Sequence, residues 1–264
     1  MNFTNEDLRK IKEKVEIEMI RAGEFFYNDR ILDSQIRIKG KNDFVTDVDV
    51  NIQEFLMEKL KIICPQAAII SEEKDNEEVD LNGLVWILDP CDGTTNLIHG
   101  YKHSSISLAL SDNLNLLFGM VYDPYTKEIF WAIKGQGAFL NDERIEVSKV
   151  GQLSDALVAF GTGGARIGRG EETFQMIYDL FKKSQSIRRI GSAALEICYF
   201  AGGRTDAYLE EDLKIWDYAA GLLISKEAGG CVRDFHGGDL SLKMRNSIIC
   251  ANPNLIEKLN IYCY

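Results

Sequence analysis

Two hydrophobic patterns along the first 150 residues predict a mixture of helices and strands. One helix is predicted from the capping pair Thr4 and Asp7 followed by apolar residues three or four apart: Leu8, Ile11, Val15, Met19 and Ala22. A second helix is predicted from Val50 to Leu60. Between Ser105 and Ile145, short apolar segments separated by turn residues predict an antiparallel meander. This half of the chain is therefore expected to be α+β.

Beyond residue 155, predicted strands and helices alternate, which places helices on the faces of a sheet. The predicted strands are Ala156–Phe160, Ser186–Arg189 and Ala207–Leu209, with short strands near Cys231 and Ile248. The predicted helices are Glu171–Lys183, Ser192–Phe200, Trp216–Ala228 and a closing helix from Pro253.

The length of the chain and its lack of linkers bound the domain organisation. At 264 residues the chain can bury a large core. No proline-rich, serine-rich or repetitive segment divides it. We expect one continuous unit with an N-terminal half over residues 1–150 and a C-terminal half over residues 151–264.

The most informative stretch is an apolar run, Leu84 to Leu88, that ends in closely spaced carboxylates. A buried strand in this place would deliver Asp89 and Asp92 at its carboxyl end. Pro90 fixes one backbone dihedral, so we expect a turn that brings both carboxylates together with the Cys91 carbonyl between them. The alternative, that both aspartates are ordinary turn and cap residues, stays open because aspartate favours both places.

The residues after Asp92 indicate an anion site beside these carboxylates. Gly93 lets the backbone approach a ligand closely, and the amides of Gly93, Thr94 and Thr95 would be unpaired at the first turn of a short helix. Unpaired amides at a helix start attract anions such as phosphate.

Acidic residues in two further segments strengthen the case for a metal site. A predicted strand, Ala67 to Ile70, runs directly into Glu72 and Glu73, and Asp217 lies at the start of a predicted helix. Oxygen ligands of this kind suit hard cations such as Mg²⁺. As alternatives, the two glutamates belong to a solvated loop or Asp217 is only an N-cap.

Composition excludes several classes of protein and partner. The net charge of −11 argues against a nucleic-acid partner, which would require clustered lysine and arginine. No apolar run approaches the length that spans a membrane, and the first 30 residues lack a signal-type apolar core. The three histidines have no zinc-like spacing, and the six widely spaced cysteines favour free thiols in the cytoplasm.

Five segments, in this order and at these separations, resemble the inositol monophosphatase family of metal-dependent, lithium-sensitive sugar and nucleotide phosphatases. They are Asn42–Asp49, Ser71–Glu73, Asp89–Asn96, Arg189–Leu195 and Trp216–Gly221. The resemblance covers nearly the whole chain. It implies a layered α-β-α-β-α sandwich, a homodimer and a magnesium-dependent phosphomonoesterase that uses direct attack by water.

The resemblance also implies a site with two to three Mg²⁺ ions, most of whose ligands lie in the N-terminal half. Glu72, Asp89 and the Cys91 carbonyl would hold one ion, and Asp89, Asp92 and Asp217 a second. A third, weaker ion would lie on Glu72 and water, with Glu73 close by.

Catalytic and substrate residues follow from the same resemblance. Asp49 and Thr94 would orient and deprotonate the attacking water, with Glu72 as a further catalytic residue. The amides of Gly93 and Thr94 would receive the phosphate. The alcohol side would be lined by Ala193, Glu210 and Asp217.

The substrate class is the most open expectation. Family members hydrolyse inositol phosphates, fructose 1,6-bisphosphate, adenosine 3′,5′-bisphosphate, histidinol phosphate or NADP with nearly the same ligands. Glu210 and the small Ala193 favour a polyol phosphate such as inositol 1-phosphate. The non-enzymatic alternative is a metal-binding regulatory protein with the same fold.

Some positions depart from the family pattern or stay ambiguous. Cys91 replaces a branched aliphatic residue, although only its carbonyl would be a ligand. Lys39 or Lys41 could fill the family's lysine position, and Lys41 is preferred.

The remaining residues near the motifs are interpreted as a connection, as contact residues or as surface residues. Gly163 to Gly168 has phosphate-loop glycine spacing without the required lysine. The longer segment Gly161–Gly170 is interpreted as a plain flexible connection in preference to a mobile loop that brings Arg166 and Arg169 to a phosphorylated substrate. Arg188 and Arg189 are candidates for substrate or interface contacts, whereas His99 and His103 are interpreted as surface residues.

Overall fold

Alternating layers of helix and sheet build the protein in a computed structural model, which describes residues 3–27, 36–40, 43–77 and 79–259. The helices are α1 Asn5–Gly23, α2 Asp47–Ile63, α3 Thr94–Ile98, α4 Gly163–Arg166, α5 Gly170–Lys183, α6 Ala193–Ala201, α7 Ile215–Glu227 and α8 Ile256–Leu259. The strands are β1 Ile36–Gly40, β2 Asp43–Thr46, β3 Ala68–Ser71, β4 Leu84–Asp92, β5 Ser105–Asp112, β6 Asn115–Asp123, β7 Glu128–Ile133, β8 Ala138–Leu140, β9 Glu143–Ile145, β10 Leu157–Phe160, β11 Ser186–Arg188, β12 Ala207–Lys214, β13 Cys231–Asp234 and β14 Arg245–Ala251.

The first large sheet has seven strands in the order β3-β4-β5-β6-β7-β8-β9. Strands β3 and β4 are parallel, and the pairs from β4 to β9 are antiparallel, which confirms the predicted meander. Helices α1 and α2 cover one face of this sheet. The capping box of Thr4 and Asp7 forms as predicted, and the five predicted apolar positions of α1 are buried.

The second large sheet has five strands in the order β11-β10-β12-β14-β13. Helices α5 and α8 pack on its outer face, while α6 and α7 lie between the two sheets and share one hydrophobic core with both. This arrangement confirms the expected α-β-α-β-α sandwich. The division at residue 150 stays a prediction.

Helix α7 lies close to its neighbours at three consecutive small residues, Ala219, Ala220 and Gly221. A Cβ on Gly119 of β6 would lie 2.8 Å from the Ala220 carbonyl oxygen, and one on Gly221 would lie 2.6 Å from Ile197 of α6. Such close approach leaves no room for a methyl group at either position. The tight packing fixes the start of α7, where Asp217 lies.

Four expectations about local structure need correction. Pro90 makes no turn, because β4 continues through it to Asp92 as a bulged strand. Strand β12 continues to Lys214, and α8 begins at Ile256 rather than at Pro253. The segment Gly161–Gly170 is not a plain connection, because it contains the short helix α4, packed on β12.

Among the residues that the structure describes, no helix has the length and apolar character needed to cross a membrane. Five cysteines in this part of the chain are free thiols, as expected: Cys64, Cys91, Cys198, Cys231 and Cys250. Cys263 lies outside the described residues.

Candidate active site

A bulge in β4 brings Asp89 and Asp92 to one side of the strand. Asp89 pairs with Ser107 of β5 and Asp92 with Ser105, so β4 uses three steps where β5 uses two. In a regular strand, residues three positions apart point to opposite faces, and the extra residue of a bulge reverses that relation. Both carboxylates therefore reach the same point, although by a different route from the predicted turn.

Asp89, Asp92 and Asp217 form a cluster in which one carboxylate oxygen from each residue lies within 4.8 Å of the other two. Burial, reinforced by the negative charges of Glu72, Asp92 and Asp217, raises the pKa of Asp89 well above its ordinary value. Burial and the charges of Asp92 and Glu72 likewise raise the pKa of Asp217. Carboxylates this close destabilise one another unless protons or a cation neutralise them.

Asp217 and Glu72 come to the cluster from two other elements. Asp217 is the third residue of α7 rather than its N-cap, and its Oδ2 accepts a hydrogen bond from the Lys214 amide at 2.7 Å. Glu72 follows β3, and its amide donates to the Leu88 carbonyl of the parallel strand β4 at 3.3 Å. Parallel strands end at one edge, so Glu72 lies near the cluster without belonging to the closest group of three. Asp217 is therefore not the N-cap itself, although it caps the start of α7 from the third position. Glu72 and Glu73 are half-buried turn residues.

Thr94 links the Asp49 carboxylate to the backbone beside the cluster. The Thr94 hydroxyl lies 2.9 Å from Asp49 Oδ1 and 3.1 Å from the Cys91 carbonyl oxygen, so its one hydrogen can be donated to either acceptor. Asp49 is fully buried at the start of α2, where Oδ2 accepts from the Thr46 amide at 2.8 Å and from the Thr46 hydroxyl. Burial raises the pKa of Asp49 despite these donors.

Gly93 makes the sharp step from β4 into α3. Its φ of +92° lies in the left-handed region, which favours glycine. A Cβ there would also lie 2.9 Å from the His103 carbonyl oxygen. Since α3 starts at Thr94, the predicted strand, glycine and short helix all occur in that order.

Asp92 is anchored by the start of α6, where Ala193 lies. Its Oδ2 accepts hydrogen bonds from the Ser192 hydroxyl and from the Ala194 amide at 2.8 Å. Burial nevertheless dominates and raises the pKa of Asp92 to about 6. Ala193 is the first residue of α6 and is buried at this junction.

Glu210 lies on β12, half-buried and held from two directions. Its Oε1 accepts from the Gly163 amide at 3.1 Å, and its Oε2 accepts from the Tyr208 hydroxyl. Its charge contributes to the raised pKa values of Asp92 and Asp217, which places Glu210 beside the cluster.

Three residues of this neighbourhood were not predicted. Glu196 is 2% exposed, accepts from the Ile190 amide at 2.6 Å, and has a pKa raised to about 7, mainly by burial. Tyr208 holds Glu210, and Asn96 donates to the carbonyls of His103 and Ile190 at 2.6 and 2.8 Å, tying α3 to the segment before α6. The sequence did contain a sign of Glu196, because it is the only charged residue in the otherwise apolar α6. Asn96 is the last residue of the motif Asp89–Asn96, whereas no feature of the sequence indicated Tyr208.

The remaining candidates lie at or outside the edge of the site. Lys41 is outside the described residues, and the structure describes only the backbone of Lys39, in β1. Arg189 donates to the Thr162 hydroxyl at 3.3 Å. His99 is exposed, and the His103 ring stacks on Tyr101, consistent with surface positions.

The donor set suits a hard divalent cation. Three carboxylates with all-oxygen donors converge, and the repulsion among them is the condition that a cation relieves. Mg²⁺ binds through a small number of carboxylates and keeps several waters, which the half-buried Asp92 and Asp217 permit.

Comparisons with known proteins agree with this class of fold and site. A model of the inositol monophosphatase family matches residues 9–262. The chain belongs to the inositol monophosphatase family, which is a family of phosphatases.

Particular relatives differ in what their names describe. The inositol-1-monophosphatase of Rhizobium meliloti is 36% identical over 245 residues, 91% of each chain. The Nus factor SuhB of Pasteurella multocida is 37% identical over 227 residues, 86% of this chain and 85% of the relative. The crystal structure of the extragenic suppressor protein SuhB from Bartonella henselae superposes with a TM-score of 0.87 at 31% identity, over 97% of this chain and 98% of that one.

Proposed function

We propose that this protein is a Mg²⁺-dependent phosphomonoesterase that hydrolyses a small phosphorylated polyol, with inositol 1-phosphate as the favoured substrate. The observation that carries the proposal is the group of three carboxylates within 4.8 Å, beside the hydrogen-bonded chain of Asp49, Thr94 and the Cys91 carbonyl. Phosphate esters hydrolyse extremely slowly without a catalyst, so such an enzyme must supply strong charge stabilisation.

Asp89, Asp92 and Asp217 would hold Mg²⁺ together with Glu72 and the Cys91 carbonyl. When bound, the metal supplies a lowered pKa for water and neutralises charge on phosphoryl oxygens. Two to three ions per site are expected from the family resemblance, with Glu73 in the outer shell of the weakest. The amides of Gly93 and Thr94 receive the phosphate in this proposal.

Asp49 and Thr94 would move the proton of the attacking water. Because the Thr94 hydroxyl donates to Asp49, its oxygen can accept from a water molecule on the side of the cluster. As the water loses its proton to Thr94 Oγ1, the threonine passes its own proton to Asp49 Oδ1. Burial makes Asp49 a stronger base than an ordinary carboxylate.

The alcohol side supports a substrate with several hydroxyl groups. Glu210 and Asp217 offer acceptors, and Ala193 keeps the start of α6 small. A relative named inositol-1-monophosphatase adds support for this substrate class. A homodimer and inhibition by lithium belong to the same proposal, through the family resemblance.

Phosphate release from inositol 1-phosphate tests the proposal directly. We expect release with Mg²⁺ and its loss with a chelator, and a higher kcat/KM for inositol 1-phosphate than for fructose 1,6-bisphosphate, adenosine 3′,5′-bisphosphate, histidinol phosphate or NADP. The exposed-site variant Asp142→Asn serves as a control, since Asp142 lies in the turn between β8 and β9.

A second candidate is a regulatory protein that keeps the fold and metal site. It is favoured by relatives named Nus factor SuhB, a name that states no enzymatic activity. For the same reason, the expected lack of a nucleic-acid partner stays a prediction. No phosphate release from any of the five esters would favour this candidate.

A further inference from the structure

The Glu210 carboxylate is fixed at both oxygens before any substrate binds. The Gly163 amide donates to Oε1 at 3.1 Å, and the Tyr208 hydroxyl donates to Oε2. These two hydrogen bonds restrict the side-chain torsions of Glu210, which would otherwise rotate freely at a half-exposed position. A carboxylate can accept about four hydrogen bonds, so these two do not exhaust its capacity.

Tyr208 is placed to serve only as a donor. It lies two residues before Glu210 on β12, so both side chains point to the same face of the strand. The ring is fully buried, and burial together with the Glu210 charge raises the pKa of Tyr208 well above its ordinary value. The phenol therefore keeps its proton at all working pH values.

The glycine turn after β10 leaves a space that the Glu210 carboxylate fills. A Cβ on Gly161 would lie 1.8 Å from the Glu210 carboxyl carbon, and one on Gly163 would lie 1.9 Å from the Glu211 carbonyl oxygen. On the other side, a Cβ on Gly164 would lie 2.0 Å from Glu211 Oε2. The turn is thus shaped around two successive glutamates of β12.

Glu211, the next residue of β12, also holds this turn in place. Its side chain is 3% exposed, accepts from the Thr173 hydroxyl at 2.9 Å, and lies 3.4 Å from the Arg169 guanidinium. Because Arg169 and Thr173 belong to the start of α5, the turn cannot shift without breaking these contacts.

We propose that Tyr208 is a positioning residue that, together with the Gly161–Gly164 turn, holds Glu210 in the orientation that receives substrate hydroxyls and disfavours a second phosphate. This inference rests on the proposed function and deepens its substrate class. A carboxylate that is already fixed binds hydroxyl donors more tightly, because its side chain loses little conformational entropy when the substrate binds. It repels a second anionic group through its own negative charge.

The experiment compares substrates that do and do not carry hydroxyls. Values of kcat and KM are measured for inositol 1-phosphate, fructose 1,6-bisphosphate and p-nitrophenyl phosphate, with wild type and Tyr208→Phe. For Tyr208→Phe we expect kcat/KM for inositol 1-phosphate, relative to p-nitrophenyl phosphate, to fall about 3- to 10-fold, mostly through KM, which is the size of one ordinary hydrogen bond. The relative kcat/KM for fructose 1,6-bisphosphate should rise.

Two further variants separate positioning from a general loss of structure. Gly161→Ala displaces the same carboxylate by direct contact but adds no backbone strain, since the φ of Gly161 is outside the left-handed region. It should shift the same ratio in the same direction. Tyr122→Phe removes a buried hydroxyl from β6 in the other sheet and should leave the ratio unchanged.

A double variant gives the sharpest readout. If Tyr208 acts through Glu210, Tyr208→Phe should add no further loss in a Glu210→Gln background, whereas independent effects would add. An active wild type whose substrate ratio does not respond to Tyr208→Phe or Gly161→Ala overturns this inference alone. A wild type that releases phosphate from none of the esters overturns the proposed function, and the inference with it.

Discussion

Carboxylates lie on both sides of the candidate site, but on one side they are clustered and on the other a single carboxylate is held by hydrogen bonds. On the proposed metal side, one oxygen each of Asp89, Asp92 and Asp217 lies within 4.8 Å of the others, and burial together with the charges of neighbouring carboxylates raises their pKa values. On the alcohol side, Glu210 is separate and receives hydrogen bonds from Tyr208 and Gly163. The first arrangement requires a cation, whereas the second requires only neutral donors.

This difference indicates how one family can keep its chemistry and change its substrate. The metal side depends on carboxylates from β4 and α7, fixed by a bulge and by a tightly packed helix. The alcohol side depends on the Gly161–Gly164 turn and on the Tyr208 hydroxyl, which together hold Glu210. Changes on the metal side should therefore affect turnover, and changes on the alcohol side should affect selectivity.

The largest expected effect is that of Asp92→Asn. Removing one charge of the cluster should lower kcat by at least about 10³-fold, since loss of one preorganised electrostatic group alone costs 10²–10³-fold. The fold should persist, because asparagine can still accept from the Ser192 hydroxyl and the Ala194 amide. Phosphate release and thermal unfolding in a chelator check both parts, with Asp142→Asn as the control. An active Asp92→Asn would show that the cluster does not carry the reaction.

Thr94→Ala should have the next largest effect, which is again a loss of kcat. Without the hydroxyl between Asp49 and the cluster, kcat should fall about 10²-fold with little change in KM, as for loss of general-base catalysis. Thr95→Ala is a matched control, because Thr95 is the next residue of α3 and is exposed. Equal losses in the two variants would assign them to a damaged α3 rather than to proton transfer.

The metal side was largely predictable because its residues are close in sequence or open an element. Asp89, Asp92, Gly93 and Thr94 lie in one stretch, and strand patterns place Glu72 beside them. What the sequence could not show was the bulge: a proline after Asp89 is compatible with a turn or with a bulged strand, and only the pairing of β4 with β5 selects the second.

The alcohol side was much less predictable because it depends on long-range strand pairing. The Gly161 amide donates to the Leu209 carbonyl at 2.8 Å, and only this pairing of β10 with β12 makes the glycine turn a space for Glu210. From sequence alone, glycines followed by arginine suggest a connection. Glu210 was identified through family resemblance, whereas Tyr208, an aromatic residue in a strand, was indistinguishable from an ordinary core residue.

Magnesium should stabilise the fold, and more so at higher pH. A carboxylate with a raised pKa in the folded state binds a proton more tightly there than in the unfolded chain, so the metal-free protein loses stability as pH rises through about 6 for Asp92. Mg²⁺ replaces those protons. At about 100 times its Kd it should add about 2.7 kcal/mol, or raise Tm by about 5–10 °C, at pH 8.

Thermal unfolding with Mg²⁺ or a chelator, at pH 5 and pH 8, measures this effect. The increase in Tm should be smaller at pH 5, where protons compete for the cluster. Asp92→Asn should reduce the increase, while Asp142→Asn should keep it. An increase that is the same at both pH values would contradict proton competition at these carboxylates.

The smallest expected effect belongs to Glu196, a buried carboxylate on neither side of the comparison. Its pKa of about 7, against an ordinary 4.5, means that folding favours its protonated form, so its contribution to stability falls as pH rises between these values.

Glu196→Gln removes that titration and can still accept from the Ile190 amide. In a chelator at pH 8, the variant should gain about 1–3 kcal/mol, or about 2–12 °C in Tm, over wild type. At pH 5 the two proteins should unfold at nearly the same temperature, and the exposed-site variant Glu143→Gln should follow wild type throughout. A Glu196→Gln protein less stable than wild type at pH 8 would mean that neighbouring groups stabilise the ionised carboxylate in the folded state.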